Sequence, residues 1–109
     1  MALSAYRLMW MFVLFDLPVR TRTERRAYTR FRNFLLDQGF EMAQFSVYMR
    51  FCMGKEQMEA HTRRIEQNCP NAGKVHIVAI TDRQYETMVC FEGRKREPGR
   101  KNPDQLVLF

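Results

Sequence analysis

Eight consecutive apolar residues, Leu8 to Phe15 (LMWMFVLF), are closed by Asp16-Leu17-Pro18. Eight residues stopped by a proline read as a strand covered on both faces, not as a helix. Each face then needs a cover. Helices of the same chain can supply one, and a second copy of the protein can supply the other. The run is too short to span a bilayer, at most two basic residues precede it, and no small-residue cleavage site follows, so the expected location is the cytoplasm.

The segment after the strand changes period. Thr21-Arg22-Thr23-Glu24 has capping-box spacing, in which the threonine hydroxyl accepts from the backbone N–H three residues on and the glutamate reaches back. Apolar residues follow at Ala27, Tyr28, Phe31, Phe34 and Leu35, a helical stripe, and Gly39 is the natural residue just past the end. The opposite surface holds Arg22, Arg25, Arg26, Arg30 and Arg32. A short strand is expected near Phe40–Ala43. The alternation of Phe45, Val47, Met49 and Phe51 with Ser46, Tyr48, Arg50 and Cys52 then predicts a half-buried strand. Lys55 to Asn68 returns to helical spacing through Met58, Thr62, Ile65 and Cys69, and Pro70, Asn71 and Gly73 end it. Val75 to Ile80 predicts a buried strand and Met88 to Phe91 a short one. Arg94–Asn102 reads as a mobile basic connection, and the apolar Gln105–Phe109 as an added edge strand.

The order strand–helix–strand–strand–helix–strand predicts an α+β fold. Specifically, it is a ferredoxin-like βαββαβ sandwich over residues 1–93, with both helices on one face of an antiparallel sheet and extra C-terminal strands over 94–109. The face without helices would be a large apolar patch, so a homodimer packed through it is expected. Nine Phe, eight Met, four Tyr and one Trp are more than a small monomer easily hides.

Charge suggests the partner. Eighteen basic residues against twelve acidic ones give +6, and fourteen of the eighteen are Arg, whose planar fork can hold phosphate oxygens bidentately. Two basic groups form along the chain: Arg20, Arg22, Arg25, Arg26 and Arg30 on the first helix and its loop, and Arg94, Lys95, Arg96, Arg100 and Lys101 near the end. Together they suit a nucleic-acid backbone. Cys52, Cys69 and Cys90 fit neither a disulfide framework nor a zinc site.

Asp16 ends the apolar strand before a proline. It can be a turn carboxylate bonding nearby backbone, or half of a magnesium site that two copies complete across a two-fold axis, where the metal could activate water against a phosphodiester. Ser46 and Tyr48, two apart, are expected on one face. His61 is read as solvated among helix charges and His76 as a satisfied core histidine.

The stretches FVLFDLP (12–18), ERRAYTRFRNFLLDQGF (24–40), QFSVYMRF (44–51), ITDRQYETM (80–88) and DQLVLF (104–109) resemble the CRISPR-associated protein two family, in order and over nearly the whole chain. The resemblance implies a homodimer that bridges dimers of the integrase, CRISPR-associated protein one, and holds pre-spacer double-stranded DNA during spacer acquisition. It implies that Asp16 is the metal-binding aspartate, with Mg2+ as the cofactor. It also implies that the closing strand, Gln105, Leu106, Val107, Leu108 and Phe109, packs against partner subunits. Some members resemble metal-dependent endonucleases of RNA or double-stranded DNA, in which case Asp16 would be catalytic. The architectural role is the favoured expectation.

Overall fold

The structure, a computed structural model, describes residues 7–98; the expected terminal strand Gln105–Phe109, with Arg100 and Lys101, lies outside the described residues. Strand β1 runs from Leu8 to Asp16, helix α1 from Arg22 to Asp37, β2 from Glu41 to Gln44 and β3 from Val47 to Met53. Helix α2 follows over Lys55–Gln67 and β4 over Lys74–Thr81. A short helix α3 (Asp82–Glu86) and two-residue strands β5 (Phe91–Glu92) and β6 (Lys95–Arg96) complete the described chain. The main sheet has the order β2-β3-β1-β4, every pairing antiparallel. This is the ferredoxin-like topology expected from the element order.

The central strand β1 alternates between two covers. Met11, Val13 and Phe15 face the helices and join Phe31 and Leu35 of α1, Ile65 of α2, and Tyr48 and Cys52 of β3 in one buried cluster. Phe15 meets Phe31 edge-on, with centroids 5.3 Å apart. Trp10 and Phe12 face the other way, where Trp10 forms a second cluster with Met49 and Tyr85. A run that is apolar at every position therefore has a burial reason on both sides. In β3 the more polar row, Tyr48 and Cys52, faces the helices, while Met49 and Phe51 face away from them.

Helix α1 begins as its capping box dictates. The Glu24 N–H donates to Thr21 Oγ1 at 3.1 Å, and Glu24 Oε1 accepts from the Thr21 and Arg20 backbone N–H groups at 2.8 and 3.0 Å. The helix ends at Gln38, whose carbonyl accepts from Arg50 Nη1 at 2.7 Å, a cation on the negative end of the helix dipole. Gly39 has φ +85°, and a Cβ there would overlap the Arg50 guanidinium. Only glycine meets both demands.

Four local expectations change. The hairpin turn falls at Phe45-Ser46, and Ser46 is not in the strand: its φ is +62°, held by Phe15 N–H donating to its carbonyl and by a hydroxyl contact with Tyr28 at 3.1 Å. Ser46 and Tyr48 nonetheless both address the helix side, the latter accepting from Arg32 Nε at 2.8 Å. On α2 the buried pair is His61 and Ile65, one position off the stripe drawn through Thr62, because threonine and histidine rank alike as polar residues and packing alone separates them. Thr62 turns back to the Met58 carbonyl at 2.8 Å. Arg94–Arg96 are not part of a mobile connection; they stand in the β5–β6 hairpin, which also straddles the position drawn as a domain boundary.

The fourth change is α3. Its own capping box, Thr81 to Gln84, starts a helix inside ITDRQYETM that sequence spacing did not suggest. Tyr85 stacks on Trp10 with centroids 3.9 Å apart and planes at 15°, and Trp10 Nε1 donates to Asp82 Oδ1 at 2.9 Å. The Trp10 end of the helix-free face is thus covered from within the chain. Asp82→Ala strips the buried indole N–H of this acceptor. It should cost about 1–3 kcal/mol in urea unfolding and raise Trp fluorescence exposure; an unchanged midpoint would show that α3 docks through Tyr85 alone.

His61 is buried, not solvated. It packs edge-on against Phe40, with centroids 5.8 Å apart, and its Nδ1 lacks a hydrogen-bond partner, as does Arg50 Nε. Burial first, and then the positive charges of Arg50 and Arg64, hold its pKa below the ordinary histidine value. The unfolded chain therefore takes up a proton before the folded one does. Stability is full above about pH 6.5, the unfolded value, and falls as pH drops toward the lowered folded value. Melting between pH 7.5 and 5 should show a loss in the wild type that is smaller in His61→Gln; equal losses would assign the acid sensitivity elsewhere.

Candidate nucleic-acid interface

The exposed arginines of α1 follow from its packing. With Phe31 and Leu35 turned to the sheet, Arg22, Arg26 and Arg30 fall on the outer surface four residues apart, in one row. Their spacing along the helix axis is about 6 Å. Among the described residues none of the three side chains makes a hydrogen bond or ion pair. Together with Arg25, Thr29 and Asn33 they line an open surface concavity. Arg25 differs: its Nη1 donates to the Val19 and Arg20 carbonyls at 3.2 and 3.0 Å, bracing the loop that leads into the helix. Arg32 is withdrawn from the row by its bond to Tyr48. Arg20 is exposed in the loop, and Arg94, Lys95 and Arg96 are exposed on the separate β5–β6 hairpin.

Asp16 lies on the other side of the sheet. Phe15 faces the helices, so its neighbour projects to the helix-free face, where α3 does not reach. A cavity of about 390 Å³ opens there, lined by Leu14, Asp16, Phe45, Ser46, Lys74 and His76 among others. No hydrogen bond or ion pair engages the Asp16 carboxylate among the described residues. Around it, Leu14, Val78 and Phe45 are exposed, Phe45 at 86 %. His76 is exposed in this cavity and is not a core histidine, because at this end of the edge strand β4 only the helix-facing Val75 and Ile77 pack on the core.

Asp16 offers a free hard oxygen ligand of the kind magnesium prefers. Among the described residues no group of three or more His, Cys, Asp or Glu could hold an ion within one chain. A second Asp16 across a two-fold axis would supply the other carboxylate. A further groove of about 350 Å³ runs between α1 and the loop after α2, lined by Leu17, Ala27, Arg30, Phe31, Phe34 and Cys69. The Cys69 thiol is pushed up by partial burial and by Glu66, and Cys52 by burial, so neither is an activated nucleophile.

A family model described as CRISPR associated protein Cas2 matches residues 9–88, from β1 through α3. The chain belongs to the Cas2 family. A CRISPR-associated endoribonuclease Cas2 of Paracidovorax avenae is 57% identical, over 98% of this chain and 99% of that protein. Proteins of the same name from Flavobacterium psychrophilum and Parvibaculum lavamentivorans are 47% and 44% identical, over 98% and 93% of this chain and 93% and 100% of their own. Membership in Cas2 makes this a CRISPR-associated protein and accounts for the ferredoxin-like sandwich. Among the described residues, no helix is long and apolar enough to cross a membrane.

Proposed function

We propose that this Cas2-family chain works as a homodimer, packed through its helix-free faces, that bridges integrase subunits and holds a pre-spacer duplex by its phosphates during spacer acquisition. The observation that carries this reading is the row Arg22, Arg26 and Arg30, unpaired and evenly spaced on a rigid helix. Backbone contacts of that kind position a duplex without reading its sequence. Exposed Leu14, Val78 and Phe45 supply the apolar surface that a second copy would cover. Contact with the integrase through Gln105–Phe109 rests on the family resemblance.

A second reading is favoured by the free Asp16 carboxylate and by the name of the relatives, endoribonuclease. In it, Asp16 of both protomers holds Mg2+, which when bound supplies a Lewis acid and an activated water for phosphodiester hydrolysis. Asp16 of each protomer would hold the ion, and Leu14 and Phe45 beside it would limit water.

Mixing the protein with the integrase and a short duplex separates the two. Asp16→Ala should assemble and integrate as the wild type does. Loss of integration by a folded Asp16→Ala protein would transfer the function to the metal site, and metal-dependent cleavage of RNA or DNA that vanishes in that variant would establish the second reading.

A further inference from the structure

The helix layer carries a cavity that neither functional reading uses. The groove of about 350 Å³ between α1 and the loop after α2 lies on the side of the molecule away from Asp16, so two copies packed through their sheets leave it open. Leu17, Ala27, Phe34 and Pro70 give it an apolar lining, and Arg30, Asn68 and Asn71 stand among them. That size, with mostly apolar walls and a few polar groups, is characteristic of a small-molecule site.

Its walls are fixed. Helix α1 is anchored by Phe31 and Leu35 in the core. The facing loop is tied down at its end by Gly73, whose φ is +92° and where an added Cβ would fall 2.5 Å from the Asp16 carbonyl oxygen and 2.8 Å from Leu17 Cδ2. At its start Asn68 Nδ2 donates to the Arg64 carbonyl at 2.8 Å, and the amide oxygen is left to accept. The polar groups select the ligand. Arg30 stands on the ridge of α1 between this groove and the concavity of the Arg row, and lines both. Its guanidinium is unpaired, because the Glu24 carboxylate, which also lines the groove, is turned to the backbone N–H groups of Arg20 and Thr21. Asn71 is exposed and its side chain makes no hydrogen bond among the described residues, so it offers both donors and an acceptor. An apolar slot flanked by amides, with an arginine beside it, matches a flat heterocycle whose edge carries donors and acceptors and whose substituent is an anion. A fatty acid would suit the slot and the arginine but leave the amides unmatched.

We infer that this groove is a nucleotide site, in which a nucleobase lies against Ala27, Phe34 and Pro70 with its edge toward Asn68 and Asn71, and its phosphate accepts from Arg30. The inference goes beyond the duplex-holding reading and does not rest on it. It adds one link between the two: a nucleotide in the groove and a duplex on the row contend for the same guanidinium.

Titration calorimetry of the full chain with dAMP, deoxyadenosine and inorganic phosphate tests it. dAMP should bind about tenfold more tightly than either fragment, since each fragment keeps only part of the contacts. Arg30→Gln should weaken dAMP about tenfold and leave deoxyadenosine unchanged. Ala72→Trp fills the groove from an exposed loop position, and should abolish dAMP binding while holding a 30-bp duplex as the wild type does. Asn71→Ala, a smaller change, should weaken dAMP and deoxyadenosine alike. The trinucleotide (dA)3 separates the sources of the ligand. Tighter binding than dAMP, equally lost in Ala72→Trp, would support the site as one for an unpaired nucleotide of a strand; weaker binding would support it as one for a free nucleotide. Absence of dAMP binding, inorganic phosphate binding as tightly as dAMP, or an Ala72→Trp protein that melts as the wild type and keeps dAMP would each overturn the inference. None of these three results touches the duplex-holding reading, which stands or falls with the Arg row.

Discussion

Reversing Arg22, Arg26 and Arg30 to glutamate should cut the affinity for duplex DNA by roughly three orders of magnitude and flatten its salt response. A dimer that neutralises about 6–10 phosphates loses on the order of 10³–10⁵ in affinity between 50 and 200 mM salt. Six of those contacts come from this row if each arginine meets one phosphate, so the slope should fall by about 5. The variant should stay folded: all three side chains are exposed and unpaired, and a glutamate at position 22 suits the positive N-terminal end of α1. Arg25 is left in place because it braces the loop at Val19 and Arg20. Fluorescence anisotropy across a salt series checks the result. Undiminished affinity would move the duplex to the β5–β6 hairpin with Arg94, Lys95 and Arg96.

Phe31→Ala should remove a large share of the stability of the fold. The ring is 2% exposed, meets Phe15 edge-on and stacks on Phe34 with centroids 6.3 Å apart. Truncating a buried phenylalanine costs about 3–5 kcal/mol through lost burial and the cavity left behind. A domain of this size has about 5–15 kcal/mol to lose. The Arg row depends on the same anchor, since it points outward only while Phe31 and Leu35 hold the inner side of α1. Urea unfolding should show the midpoint falling sharply, with duplex affinity lost in parallel as temperature rises. A loss below about 1 kcal/mol would mean that Phe34 or Tyr28 refills the space.

The legible parts of the chain were those in which local chemistry and burial agree. The β1 run, the Thr21–Glu24 capping box and the Gly39 stop each carry a strong local preference that the tertiary structure satisfies, and so does the Arg row opposite Phe31 and Leu35. Asp16 could be singled out because it interrupts an apolar run beside a proline. The errors arose where two residues were locally equivalent. His61 and Thr62 both suit an exposed helix turn, and only contact with Phe40 draws His61 inward. Ser46 gives no sign of a positive φ; the bonds to Phe15 and Tyr28 that stabilise it come from elements distant in sequence. His76 looks like a core histidine until β4 is placed at the sheet edge.

The order of strands and helices, the basic character and the inner side of α1 were settled by the residues themselves, because periodicity and capping act over a few positions. Which face of the sheet each strand residue meets depended on register, and register joins positions far apart in sequence, such as Asp16 and Lys74. That is why the tertiary structure alone decided that α3 covers the Trp10 end of the open face, that His61 is enclosed, and that the carboxylate and the arginines stand on opposite sides of one sheet.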